Sequence, residues 1–368
     1  MDQSKQKQSA GDNSTQVQAG TINVTNIVGI DDKRAREICR EEYALAKQNW
    51  TAEAYEIADK RVQAFENRLM PRMVEFDNSL KCFADPAFQF ALRKAQIVAA
   101  SSERDDDYNI LTELLVNRVE LNTDRKRQLG IVKAIEVVDQ IDEIALIGLS
   151  MVFAVSNYYP VSVVLSEGLK VLDSFYAKIL SGKQLPEGDS WLTHLDLLST
   201  IRILDRGMHR LKKIEKIIPP KLKKYLVKGI RGDAEEFKLL KDKLLGVGIS
   251  TSCFVPYILK EGYYVWSLDT NIDHLFFIKQ NGASTIKIPL NDAQKTVMKD
   301  AILIACEDGS NDVELLNAFW KEWDKFENLA VVHKWWNTIE GSFDITPVGV
   351  ALANAYVRGK DPSVPNLY

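Results

Sequence analysis

The sequence predicts a mainly α protein: a multi-helix body, a two-strand β tract at the N-terminus, and a few short strands near 257–289. Three observations carry that expectation. Apolar residues recur at three- and four-residue steps through most of the chain. Asp, Ser and Thr sit just ahead of those runs, where helices need caps. Period-two alternation is confined to two places, 14–28 and the aromatic stretch after Tyr257. The expected organisation is an assembly tract over 1–30, a helical body over 31–250 and a mixed, mainly helical region over 251–368.

Residues 1–8 carry no pattern. In 14–28, Val17 and Ala19 oppose Gln16 and Gln18. After Gly20 the alternation resumes, with Ile22 and Val24 opposed to Thr21, Asn23 and Thr25. Gly11-Asp12 and Gly20 supply turns, and Asp31 or Asp32 caps the first helix. Residues 33–76 read as helix with a restart at Thr51. Its inward stripe is Ile57, Ala58, Val62, Phe65, Leu69, Met73 and Phe76, and Pro71 lies near its end. Asp85-Pro86 is a cap followed by Pro at the first helical position. Ser101 or Ser102 is expected to cap the next helix, with Ile110, Leu111, Leu114, Leu115 and Val119 inward. Thr123 opens another helix through Val138, and Asp142 opens the apolar run 144–155. Further helices are expected at 162–180, 189–205, 219–229 and 233–246.

From Tyr257 two or three short strands are expected, with a turn at Asn281-Gly282. Helices return at 291–306 and 311–339. Thr346-Pro347 opens a last helix that Gly359 should close.

The formal net charge is −4, which does not mark a general nucleic-acid binder. A chain of 368 residues buries roughly three quarters of its unfolded surface, so its fold needs no disulfide or metal. Cys39, Cys82, Cys253 and Cys306 are far apart and read as buried thiols of a reducing compartment. The N-terminus lacks a secretory apolar region. The run 144–155, about 18 Å as a helix, is too short for a ~30 Å hydrocarbon layer. The expectation is a cytoplasmic protein with no membrane span.

Few residues point to chemistry. Asp105, Asp106 and Asp107 with Glu103 could take Mg²⁺, but consecutive acids in a first helical turn also complement the helix dipole. Adjacent positions do not share a helix face, so capping is preferred. His194, His209, His274 and His333 are scattered, and no nucleophile elbow, P-loop or zinc motif occurs. No catalytic residue, metal site or cofactor is therefore expected.

Residues 202–231 hold eleven basic residues against Asp205 and Glu215. Within them Arg210, Lys212, Lys213, Lys221, Lys223 and Lys224 are candidate contacts for phosphates or an acidic partner. Interleaved Ile and Leu also fit two amphipathic helices with solvated faces, which is the preferred reading. Trp320, Trp323, Phe326, Trp335 and Trp336 have the spacing of helices buried on one face, the alternative being a partner groove.

The opening tract suits pairing between chains. Gln and Asn amides form ladders when strands stack, and two short strands alone are marginal in water. The expected self-assembly residues are Gln16, Val17, Gln18, Gly20, Ile22 and Val24.

"GDNSTQVQAG" resembles the G-D-x-S/N-x-Q-x-x-x-G tracts of bacterial and fungal amyloid-type signalling motifs, which flank helical domains in immune and cell-death proteins. The tract and the helix start after it are similar to an uncharacterised bacterial family. That family shares a Q-x-AGDNS-x-x-x-QAG tract, a helical body and a T-x-VG-x-A ending. Here these are Gln8 to Gly20, Ala35-Arg36-Glu37-Ile38 within the body, and Thr346 to Ala351. Residues 86–180 loosely resemble helical domains of phage abortive-infection proteins. The resemblance implies a bacterial defence setting and carries over no catalytic residue. The Val/Ile-Gln-x-Gly core of related motifs appears only as Val17 to Gly20, so a finite β-assembly and a fibril both stay open.

The resulting expectation is a non-enzymatic, homo-oligomeric interaction or sensor protein in antiphage or stress defence, with a protein partner. A nucleic-acid-binding module and a metal-dependent hydrolase or nuclease are the alternatives.

Overall fold

A computed structural model describes residues 30–46, 51–77, 79–121, 124–204, 211–281 and 284–368. The N-terminal tract lies outside the described residues, including Gln16, Val17, Gln18, Gly20, Ile22 and Val24. The mainly helical class is what the structure shows, with short antiparallel strands between helices.

The chain opens with α1 (Asp32–Ala46) and α2 (Ala52–Phe76). Asp31 accepts the Arg34 N–H at 2.7 Å, and Thr51 caps α2 through Ala54. Ala58, Val62, Phe65, Leu69 and Met73 are buried as expected, but Ile57 and Phe76 face solvent. The helix α3 (Pro86–Ser101) starts on Asp85, whose carboxylate takes the N–H groups of Ala87 and Phe88.

The next helix begins later than expected. In α4 (Asp105–Glu120) the preceding Arg104 offers no side-chain cap. Ser102 bonds the Arg104 N–H and the Asp107 carboxylate instead, tying the loop rather than the helix end. Asp124 caps α5 (Arg125–Val137), and Thr123 lies outside the described residues. Asp142 caps α6 (Glu143–Asn157), whose residues Ala145 through Val155 are all buried. A helix apolar on every side belongs inside a core.

After α7 (Leu165–Leu180), the expected helix 189–205 stops early. α8 (Ser190–Leu197) ends before Ser199, which has φ +58°, and β1 (Ile201–Ile203) comes next. The expected helix at 219–229 is also corrected. α9 (Ile214–Lys221) comes earlier and contains Pro219 and Pro220 in its last turn. Burial of Ile214 and Ile218, and the Asn337 side chain on the Ile214 N–H, outweigh the N–H groups those prolines lack.

The strand region comprises β2 (Ile230–Arg231), α10 (Glu235–Gly246), β3 (Phe254–Pro256), β4 (Tyr263–Trp266), β5 (Phe276–Asn281) and β6 (Ser284–Pro289). Strands β2–β4–β3 form one antiparallel sheet and β5–β6 a separate hairpin.

Then comes α11 (Asp292–Ala305), with Asn291 and Gln294 closing a reciprocal capping box. The expected helix 311–339 is two, α12 (Val313–Trp323) and α13 (Glu327–Trp336). Asp173 of α7 accepts the N–H groups of Asn328 and Leu329, so a remote residue starts α13. β7 (Phe343–Ile345) pairs with β1, Ile201 opposite Ile345. α14 (Pro347–Lys360) is capped by Thr346 and runs through Gly359, which does not close it.

Two apolar cores result among the described residues. The larger draws on α1 to α9 and α12 to α14, with α14 packed on α4, α5, α6 and α7. The smaller is built by α10, α11 and the β2–β4–β3 sheet, from Phe237, Leu240, Leu244, Phe254, Trp266 and Met298 among others. At the seam Tyr257 donates to the Tyr225 carbonyl at 2.7 Å, and Val227 bridges Asp308.

Candidate interaction surfaces

The three consecutive acids diverge. Asp105 meets Arg68, Asp106 meets Lys360 at 2.6 Å, and Asp107 turns into the protein against Ser102 and Arg104. Burial pushes the Asp107 carboxyl above its ordinary range, against the opposing pull of Ser102 and Arg104. No cluster of three metal-ligating side chains occurs among the described residues. The geometry ties α4 to α2 and α14 rather than gathering oxygens around an ion.

Three histidines hold local structure. His194 accepts the Asp142 N–H at 2.9 Å, at the start of α6. His274 bonds Asp269 on the loop before β5. His333 lies between Asp324 at 2.8 Å and Glu215 at 3.1 Å, with Trp320 stacked on its ring 4.4 Å away. His209 lies outside the described residues. Burial pushes the Cys253 and Cys306 thiols up to about 11 and Cys82 to about 12, so these thiols stay protonated at neutral pH. Trp323, Trp335 and Trp336 are buried, Trp320 and Phe326 half-buried, which makes this aromatic series largely core.

The basic stretch splits in two. Lys221 donates to the Val155 carbonyl at 3.0 Å and to that of Ser156, the last turn of α6, where a cation complements the helix dipole. Lys224 donates to Pro160, Lys228 pairs with Glu307, and Arg231 with Asp233. Burial lowers the Lys221 and Lys224 ammonium groups from their ordinary range. Lys212, Lys213 and Lys223 are exposed, and their ammonium groups have no hydrogen-bond or ion-pair partner among the described residues. Arg206 and Arg210 lie outside the described residues.

This division is testable. Lys221→Met should cost about 1–2 kcal/mol, because the α6 carbonyls lose a half-buried cation. Lys212→Glu should stay within about 0.5 kcal/mol, as a surface change. Urea unfolding of both variants checks it, and equal losses would contradict the assignment.

A cavity of about 230 Å³ lies at the seam of the two cores, lined by Val163, Leu165, Tyr225, Val255, Tyr257 and Trp266 among others. Its two tyrosine hydroxyls are occupied, Tyr225 on Ser162 and Tyr257 on Tyr225. It is smaller than the roughly 300 Å³ at which small-molecule pockets usually begin.

The most unusual surface is the β5–β6 hairpin. Phe277 opposes Ile288, on the face that Ile286 shares, while Phe276, Ile278 and Pro289 share the other with Gln280, Thr285 and Lys287. Ile278 is 66 % exposed, and Phe276, Phe277, Ile286 and Ile288 are each 37–44 % exposed. The base is held by Leu290, which is buried, and Leu275, which packs on the smaller core. Neither strand joins another sheet among the described residues. The sequence marks these residues as strands through "HLFFI" and "STIKIP". It does not show that apolar side chains stay partly exposed on both faces, although adjacent Phe276, Phe277 and Ile278 are a trace of it.

A family model described as ":-like" matches residues 29–365. The chain belongs to this family. The match covers both cores, the seam cavity and the hairpin, and begins where the opening tract ends. No curated protein and no solved structure matches the chain. No helix among the described residues is long and apolar enough to cross a membrane.

Proposed function

We propose that the protein is an interaction protein that assembles copies of itself by β-pairing, with residues 14–28 as the pairing tract and the helical body as the part that receives a signal or partner. The observation that supports this most is the β5–β6 hairpin, which exposes apolar side chains on both faces toward its base and is unpaired at both edges among the described residues. A two-stranded hairpin of this kind is marginal in water and gains from any strand added to it. The alternation at Val17, Ala19, Ile22 and Val24 supplies a segment suited to pairing. The bacterial defence setting belongs to the same proposal and rests on the resemblance of residues 8–20.

Light scattering coupled to size exclusion tests it. Full-length protein should run as a multiple of one chain's mass, and protein lacking residues 1–29 as a single chain. A single-chain mass for both removes the reading.

A second reading, nucleic-acid binding, is favoured by the exposed ammonium groups of Lys212, Lys213 and Lys223. Binding would then fall steeply with salt. The triple change Lys212→Glu, Lys213→Glu and Lys223→Glu should abolish it, and affinity that survives the triple change rules this reading out.

A further inference from the structure

We infer that the strand added to the hairpin is residues 14–28 of a second copy of this chain, laid along the outer edge of β5. The inference rests on the assembly reading and names both halves of the contact.

The hairpin identifies its own better edge. Each six-residue strand turns alternate N–H and C=O groups away from its partner. Proline in a sheet sits where its missing N–H would face outward, so Pro289 removes a donor from the outer edge of β6. β5 contains no proline and keeps its full set.

Charge selects the occupant. Residues 276–289 carry Lys279 and Lys287 and no acid. Two such hairpins edge to edge would gather four lysines, and lysines on an edge strand are a common device against self-pairing. The stretch 14–28 has no charged residue at all, so it meets those lysines without repulsion. Its two alternating halves, 16–19 and 21–25, are strand-length, and their Val and Ile side chains match apolar positions on both hairpin faces. Twenty-nine residues precede Ile30, enough chain for 14–28 to reach a second copy.

The test uses the full-length chain with Ile22 replaced by photo-reactive p-benzoylphenylalanine. Protein labelled with ¹⁴N and ¹⁵N is mixed, irradiated and mapped by mass spectrometry. Cross-links from position 22 to 276–289 that join the two isotopes are the expected result. Tract-to-tract cross-links alone would overturn the inference and leave the assembly reading standing. Links within one copy alone would overturn it too.

A second measurement guards against a silent probe. Ile278→Asp in the full-length chain should bring the mass down to that of one chain. Its helical circular dichroism should not change, because Ile278 lies in neither core. An unchanged multiple of the chain mass would overturn the inference. A single-chain mass for the unmodified full-length protein would instead remove the assembly reading itself.

Discussion

Glu113→Ala should destabilise the protein by about 3–5 kcal/mol, the usual loss when one partner of a buried ion pair is deleted. Glu113 stands in α4 with its side chain 5 % exposed, between two guanidinium groups. Arg72 of α2 reaches it at 2.6 Å and Arg358 of α14 at 2.8 Å. Arg358 also holds the Val364 carbonyl at 3.1 Å, which ties the segment after α14 to the same centre. Removing the carboxylate leaves Arg358 with no acid partner among the described residues and Arg72 with only the exposed Glu75, at 2.8 Å. Glu113→Gln should cost less, because the amide oxygen still accepts one of the two bonds. Urea unfolding measures both. A loss below about 1 kcal/mol for the alanine variant would show that water reaches the site and screens it.

Gly349→Ala should be nearly as severe, about 3 kcal/mol, at the upper end of what overpacking costs. A Cβ at this position would lie 2.0 Å from the Thr200 carbonyl oxygen and 2.9 Å from the Ile345 side chain. The first obstacle is backbone, so no rotamer change relieves it. The same carbonyl accepts the Thr346 N–H at 3.0 Å, and Thr346 in turn caps α14 through the Gly349 N–H. The extra methyl group therefore pushes apart the start of α14 and the turn before β1. Thermal unfolding checks the prediction, and a melting temperature within a degree or two of the unmodified protein would refute it.

Gly349 also explains why one resemblance motif lies where it does. Thr346, Gly349 and Ala351 read in sequence as a cap and a few small residues. In the fold they are the cap, the point of close backbone approach and a fully buried contact. Ala35 and Ile38, from the other body motif, are likewise buried in the larger core. Both motifs serve packing.

Local chemistry was readable wherever it stays local. Thr51, Asp85, Asp142 and Thr346 lie next to the helices they cap, so their bonds span two or three residues and the sequence shows both ends. The apolar helix 144–155 was readable for a related reason, since a helix without a polar face has to be enclosed. Expectations failed where a remote residue decides. Asp173 starts α13 from 155 residues away, which splits a stretch that reads as one helix. β1 exists because β7 pairs with it, and three residues alone carry too little pattern to announce a strand. α9 tolerates two prolines because Asn337 and the core hold it.

The interaction surfaces divide along the same line. Period-two alternation, an uncharged opening tract and a dense basic stretch are properties of neighbouring residues, and the chain states them outright. Which lysines are committed to carbonyls, and which strands are left bare, depends on what packs beside them. Lys221 and Lys223 are two positions apart, yet one closes α6 and the other faces solvent. Phe254 and Phe277 both lie in strands, yet one is buried in a core and the other stands clear of it. Burial is a relation between distant segments, and only the folded chain brings those segments together.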